Sequence, residues 1–326
     1  LIRARITGTG SALPEKVLTN LDLERMVDTT DQWIVERTGI RERRIAAEGE
    51  YTSTFASAAA LRALSAAGVA ADEIDLIVIG TVTPDYPFPS TACLVQQIIG
   101  ATKANCFDVS AACPGFLFAL ATAEKFISHG GVKKALVIGA DVLSRIVDWS
   151  DRNTCLLFGD GAGAVVLEAV EGENGILSTH QHTDGNHWEL LYQKGCGSRN
   201  PATQQNLDHR LLYVTMQGNE VFKFAVRAMA EVAREALAAN GLATSDISLF
   251  IPHQANLRII EAVGKRLCLG SDRVFVNVEH YGNTSSASIP IALDEASRAG
   301  RIKEGDYVLL DAFGAGLTWA AVLLRW

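Results

Sequence analysis

Residues 60–78 (ALRALSAAGVAADEIDLIV) align without a gap on residues 233–251 (AREALAANGLATSDISLFI), 173 positions further along the chain. Each copy reads as an amphipathic helix, a glycine at its C-terminal end (Gly68 and Gly241), a short acidic loop and a buried strand. A second echo sets Gly161-Ala162-Gly163 before one apolar strand and Gly314-Ala315-Gly316 before the last. Chance likeness between Ala-rich helices is the competing account. Two copies of one α/β unit explain both echoes and place a join near residues 170–178, which divides the chain into residues 1–174 and residues 175–326.

The remaining pattern agrees with an α/β class. Apolar runs at 76–79, 135–138, 164–167, 249–251, 274–278, 307–310 and 320–324 read as strands, with helix-length stretches between many of them. Several runs lack alternation, as expected of strands covered on both faces by helices. At 326 residues the chain can bury a substantial core, and 48% hydrophobic with 20% charged residues is a globular balance. The net charge of −8 favours solubility and speaks against nonspecific nucleic-acid binding. No 18-residue apolar run occurs and no positively charged segment followed by an apolar stretch opens the chain, so no membrane role is expected and a cytoplasmic location is.

Six cysteines without a CxxC pair are too sparse for a disulfide framework, and most are expected to be small buried apolar side chains. Cys113 differs. In Asp108-Val109-Ser110-Ala111-Ala112-Cys113-Pro114-Gly115-Phe116, small residues precede the thiol, and Pro114 suits a first helical position before an apolar helix running to Phe126. A helix N-terminus stabilises thiolate and is expected to lower the thiol pKa. A cysteine at a strand–turn–helix junction serves structure as readily as chemistry, so these residues leave both roles open. The 178–212 region holds His180, His182, His187 and Asp184; imidazole and carboxylate suit a divalent ion, but the flanking Gly, Asn and Gln read as a polar loop, and no metal site is assigned.

The Cys113 segment resembles the nucleophile region of the β-ketoacyl-[acyl-carrier-protein] synthase III family, within the thiolase superfamily. The likeness extends through Gly8-Thr9-Gly10-Ser11, Asp31-Gln32-Trp33-Ile34, Arg37-Thr38-Gly39-Ile40-Arg41-Glu42-Arg43, Phe158-Gly159-Asp160-Gly161-Ala162-Gly163-Ala164 and Gly218-Asn219-Glu220-Val221-Phe222. It also takes in Ile251-Pro252-His253-Gln254-Ala255-Asn256 and His280-Tyr281-Gly282-Asn283-Thr284-Ser285. By itself a His is usually a surface or satisfied residue and an Asn beside Gly a turn. The glycine-rich stretch at 159–163 lacks phosphate-loop spacing and reads as a tight turn near the site.

The resemblance implies a five-layered αβαβα thiolase-like fold made of two duplicated halves, with Cys113 in the first and His253 and Asn283 in the second. It implies acyl transfer from acyl-CoA to Cys113, then decarboxylative condensation with malonyl-[acyl-carrier protein]; these are substrates, and no metal or other cofactor is implied. His253 and Asn283 would stabilise the enolate, and the backbone N–H groups of Cys113 and Ala315 the acyl oxyanion. Many relatives carry three glycines after the residue matching Phe313, where this chain has Ala315, so Ala315 is acceptable only where its backbone does not demand glycine. Trp33, Arg37 and Arg152 correspond to CoA-binding positions, and Arg258, Lys265 and Arg266 to a basic surface for acidic carrier protein. Phe88 corresponds to a residue that closes the partner's acyl pocket across a homodimer. Rival readings are a related synthase with another starter or acceptor, a Cys-His-Asn hydrolase, and a non-catalytic scaffold subunit.

Overall fold

In the computed structural model, which describes residues 2–326, nine core strands form two sheets. The first contains β1 (Ile2–Ala12), β2 (Leu76–Gly80), β3 (Asn105–Val109), β4 (Lys134–Val142) and β5 (Asp160–Glu171), in the order β1-β5-β4-β2-β3. The second contains β6 (Gly175–Thr183), β7 (Leu249–Pro252), β8 (Tyr307–Gly314) and β9 (Thr318–Arg325), in the order β6-β9-β8-β7. In both sheets the pairings are antiparallel along the first three strands and parallel at the next. The same unit is therefore wound twice.

Seven helices complete the layers: α1 (Asp31–Thr38), α2 (Thr52–Ala67), α3 (Thr91–Ile99), α4 (Gly115–Ser128), α5 (Gly218–Ala239), α6 (Leu257–Arg266) and α7 (Ser288–Arg298). Ala56, Ala59, Ala60 and Ala63 of α2, with Val95 of α3, pack on Ile77, Ile79, Leu136 and Val166 on the outer face of the first sheet. Phe116, Leu117 and Leu120 of α4 and Ile289 and Leu293 of α7 fill the space between the sheets, against Val78, Val137, Ile251 and Leu310. Met229, Val232 and Ala233 of α5 and Val263 of α6 cover the far face of the second sheet at Phe250, Leu309 and Leu323. This stacking is αβαβα. Because α4 is buried nearly all round, each large side chain such as Phe116 or Leu117 contributes about 1.5–3 kcal/mol of burial.

Six of the expected strands are present, usually longer than their apolar cores. The 274–278 strand is not: it shrinks to one parallel bridge between Val274 and Phe250, and Val278–Tyr281 turns helical. The Gln254 side chain intervenes, accepting from the Asn277 N–H at 2.9 Å and donating to the Phe275 carbonyl at 3.1 Å, so it occupies hydrogen bonds a longer ladder would use. The segment corresponds in position to β3 of the first sheet. Residues 160–163 are the start of β5 and not a turn; Gly163 lies so close to α7 that a Cβ there would sit 2.6 Å from Pro290 and Ile291 backbone atoms.

The 178–212 region likewise begins inside β6, which carries His180 and His182. Both imidazoles engage opposite oxygens of Glu235 on α5, at 3.0 and 2.6 Å. Their polar pattern therefore marks an edge strand facing a helix. Of the cysteines other than Cys113, only Cys155 is fully buried, Cys93 and Cys106 are half-buried, and Cys196 and Cys268 are exposed, contrary to the expectation that most are buried. No described helix is long and apolar enough to cross a membrane.

Candidate active site

Cys113 sits immediately before Pro114 and the fourteen-residue α4, so its thiol lies at the end of a helix buried between the sheets. Ala112 precedes it with φ +49°, an unusual backbone for a residue with a side chain. The thiol is nearly inaccessible, and burial pushes its pKa up to about 12, with Asp141 adding to the rise and the Ser285 hydroxyl opposing it. This reverses the expected direction. Desolvation outweighs the helix-end effect, and Cys113 rests as a thiol.

The β8–β9 connection closes over this position. A Cβ on Gly314 would fall 2.9 Å from Cys113 N and Cβ and 2.7 Å from the Pro114 ring, so a side chain there would displace the nucleophile loop. Ala315 is not among the residues with positive φ, whereas Gly316 has φ +135°. Its backbone therefore does not require glycine, which removes the objection to alanine at this position.

The second half contributes His253, one residue past β7, with its N–H donating to the Asp311 carbonyl at 2.7 Å. Its Nδ1 lies 2.6 Å from Ser288 Oγ, at the start of α7. The Gln254 N–H donates to the same oxygen at 3.3 Å. The Ser288 hydroxyl has no other acceptor among the described residues, so its proton is directed at Nδ1, which leaves the imidazole proton on Nε2. Nε2 is buried without a hydrogen-bond partner among the described residues, and burial lowers the His253 pKa to about 3. At neutral pH the site holds a neutral imidazole with one unspent donor.

Asn283 is clamped by its backbone to the 157–159 segment, its N–H donating to Leu157 O at 2.8 Å and its carbonyl accepting from Gly159 at 3.0 Å. Its Oδ1 accepts the Ser285 N–H at 2.8 Å, so Nδ2 remains as its donor. Ser285, with φ +51°, directs its hydroxyl to Cys113 Sγ at 3.6 Å. Ser286 Oγ contacts both Gly80 O at 2.7 Å and Asp141 Oδ2 at 2.8 Å. One hydroxyl proton cannot serve two acceptors; a proton on Asp141 satisfies both contacts, in accord with the burial that raises its pKa. Asp141 also collects Thr81, Thr83 and the Val82 N–H from the first half. The 283–288 loop therefore joins the two halves around the thiol.

Cys113, His253 and Asn283 all line one cleft of about 750 Å³, together with Phe158, Met216, Met229, Phe313 and Gly314. Trp33 and Arg37 line the same cleft; Arg152 stacks on the Trp33 ring at 4.9 Å and pairs with Asp28 at 3.6 Å. Arg258 lines it too, 5.5 Å from the Phe222 ring. Lys265 and Arg266, in the last turn of α6, are exposed and do not line it. Phe88 is 86% exposed on a loop away from this chain's own cleft. Sequence reasoning passed over Ser285, Ser288 and Asp141, and also Lys223 and Glu220 at the cleft. The Ser-rich run after Asn283 was the available signal for the first two, whereas nothing local marks Asp141.

The sequence and the fold are shared with known proteins. Residues 107–185 match the family described as 3-oxoacyl-[acyl-carrier-protein] synthase III, and residues 237–326 match its C-terminal part. The chain is 58% identical to the β-ketoacyl-[acyl-carrier-protein] synthase III of Xanthomonas campestris, over 100% of this chain and 99% of that one. It is 56% identical to the enzyme of the same name from Rhodospirillum centenum, with the same coverage. The crystal structure of 3-oxoacyl-[acyl-carrier-protein] synthase III from Aquifex aeolicus, 51% identical, superposes with a TM-score of 0.93 over 99% of this chain and 100% of that one. The priming β-ketosynthase of the R1128 polyketide pathway, 37% identical, superposes with a TM-score of 0.92 over 99% and 96%. With both sequence and fold matched from end to end, the chain belongs to the β-ketoacyl-[acyl-carrier-protein] synthase III family, thiolase-fold acyltransferases that catalyse the condensation initiating fatty-acid synthesis.

Proposed function

We propose that Cys113 is the acyl-carrying nucleophile and that His253 and Asn283 are the donors for the decarboxylative step. The observation that carries this reading is the convergence of the three side chains on one cleft, with Nε2 of His253 and Nδ2 of Asn283 uncommitted. In the first half-reaction the Cys113 sulfur attacks the thioester carbonyl of acyl-CoA, the bond from carbonyl carbon to CoA sulfur breaks, and CoA leaves as its thiol. The oxyanion formed on the way is assigned to the N–H groups of Cys113 and Ala315.

Malonyl-[acyl-carrier protein] then loses CO2. The electron pair of the broken C–C bond becomes an enolate, whose oxygen takes hydrogen bonds from His253 and Asn283. A preorganised donor of this kind contributes about 3 kcal/mol to the transition state. A His253 that is neutral at the working pH suits donation, and the desolvated cleft strengthens it. The enolate carbon attacks acyl-Cys113, and the thiolate is released as β-ketoacyl-[acyl-carrier protein] forms.

Trp33 with Arg37 and Arg152 is assigned to the CoA nucleotide, where stacking and phosphate pairing suit these side chains. Arg258, Lys265 and Arg266 are assigned to the acidic carrier protein; their spread along α6 supports a docking strip leading to the cleft. Phe88, exposed on its loop, is assigned to the partner's acyl pocket in a homodimer. The two halves are taken to divide at 174/175, in the turn between β5 and β6. The starter is assigned as acetyl or another short acyl group, and the enzyme as cytoplasmic.

Incubation with acetyl-CoA followed by intact-mass measurement tests the assignment. An acetyl increment that is lost in Cys113→Ala, with acetoacetyl-[acyl-carrier protein] appearing once malonyl-[acyl-carrier protein] is added, is the expected result. An increment that persists in Cys113→Ala would overturn the nucleophile. Turnover of a long-chain or aromatic acyl-CoA without transfer of acetyl or another short acyl group would overturn the starter alone.

A further inference from the structure

We propose that Ser285 is a further catalytic residue, whose hydroxyl donates a hydrogen bond to the Cys113 sulfur and stabilises the negative charge that sulfur bears when it attacks, and later releases, the acyl group. The inference rests on the assignment of Cys113 as the nucleophile.

Three observations converge on this side chain. Its Oγ lies 3.6 Å from Cys113 Sγ, within reach for a donor to the large sulfur atom, and it is the one side-chain hydrogen-bond partner of that sulfur among the described residues. Ser285 is 3% exposed and its hydroxyl has no other hydrogen-bond partner among the described residues, so the contact is not a surface rotamer shared with solvent. Its backbone adopts φ +51°, a conformation that side-chain-bearing residues seldom hold and that clusters at functional sites. The neighbours enforce that conformation: the Ser285 N–H is committed to Asn283 Oδ1, and the next residue is anchored on Asp141 and Gly80. In this one conformation the residue's amide orients Asn283 and its hydroxyl reaches the nucleophile.

The sulfur has need of a donor. Burial opposes charge on Cys113, and the hydroxyl counters that penalty at the atom where charge develops. Ser285 keeps its own proton throughout. In acyl transfer the new bond is Cys113 S–C, the broken bond is C–S of the acyl-CoA, and the proton lost from Cys113 ends on the departing CoA sulfur. In condensation the Cys113 sulfur is the leaving group and meets the same hydroxyl.

Full-length Ser285→Ala and Ser285→Gly enzymes test the idea against wild type. Glycine relaxes the positive φ and retains the N–H on Asn283, so it separates the hydroxyl from backbone effects. It also keeps the test decisive should the alanine variant fail to fold. The readouts are the rate of iodoacetamide alkylation at Cys113 across pH 7–10 and single-turnover acetyl transfer from acetyl-CoA, each followed by intact mass. Loss of a hydrogen bond to a charged group corresponds to a slowing of about 10- to 100-fold in both, with the alkylation profile displaced toward higher pH. An unchanged alkylation profile in the folded variants overturns the proposal, whether or not acetyl transfer slows, because a role confined to holding Asn283 leaves thiol reactivity untouched. If wild type acquires no acyl group on Cys113 from acetyl-CoA or from any other acyl-CoA that it turns over, it is the nucleophile assignment that fails.

Discussion

Replacing Asp311 by Asn should stabilise the enzyme at neutral pH and have no such effect in acid. Asp311 lies in β8 with no exposed surface, and neither carboxyl oxygen has a hydrogen-bond partner among the described residues. Burial alone raises its pKa well above the ordinary carboxylate range, so the folded protein holds it as the neutral acid. The unfolded chain releases that proton near pH 4. A folded-state pKa raised in this way gives a contribution fully present below about pH 4 and lost progressively as pH rises toward the folded value, at about 1.4 kcal/mol per pH unit. Asparagine keeps the shape and removes the titration, though its amide is still desolvated. The stability difference between variant and wild type should therefore climb with pH at that slope, while most other titrations cancel in the comparison. Urea denaturation at pH 5, 6, 7 and 8, at one fixed protein concentration, measures it. Two parallel stability curves would refute the reasoning, because they would mean that Asp311 carries the same charge folded and unfolded.

At the Asp141 junction Asn can still accept from the Thr81 and Thr83 hydroxyls and donate to Ser286 Oγ, but it loses the acceptor of the Ser286 N–H: Asp141→Asn is expected to lose a few-fold in kcat, roughly threefold, and Asp141→Ala about tenfold or more, measured as condensation rate. Ser288→Ala frees His253 Nδ1 to take the proton, turning Nε2 into an acceptor. Malonyl decarboxylation should fall about 100-fold, and nitrogen NMR of the imidazole should report the change of tautomer. Trp33→Ala should raise KM for acyl-CoA about tenfold with kcat little changed, because a stacked base contributes equally to ground and transition states; a kcat loss with unaltered KM would refute the nucleotide assignment.

Much of the fold was legible because its signals are local. The helix–glycine–strand pattern repeated at residues 60–78 and 233–251 needs only periodicity and a terminator, and it lies in matching layers of the two units. The signal failed where a distant side chain intervened. The apolar run at 274–278 has the composition of a strand, but Gln254 takes its hydrogen bonds. His180 and His182 look like loop residues until Glu235, more than 50 positions away, is placed opposite them.

At the site, the sequence by itself determined which side chains are available: a thiol before a buried helix, an imidazole after a strand and an amide in a glycine-containing loop. Only the tertiary structure decided their states. Whether Cys113 rests as thiol or thiolate depends on burial against helix-end stabilisation, and burial is a property of five assembled layers. Which nitrogen of His253 carries the proton follows from Ser288 at the start of α7, and what touches the sulfur follows from Ser285, in the other half of the chain from Cys113. Residue identity is written along one dimension, whereas desolvation and hydrogen-bond partners depend on what three-dimensional packing brings within a few ångströms.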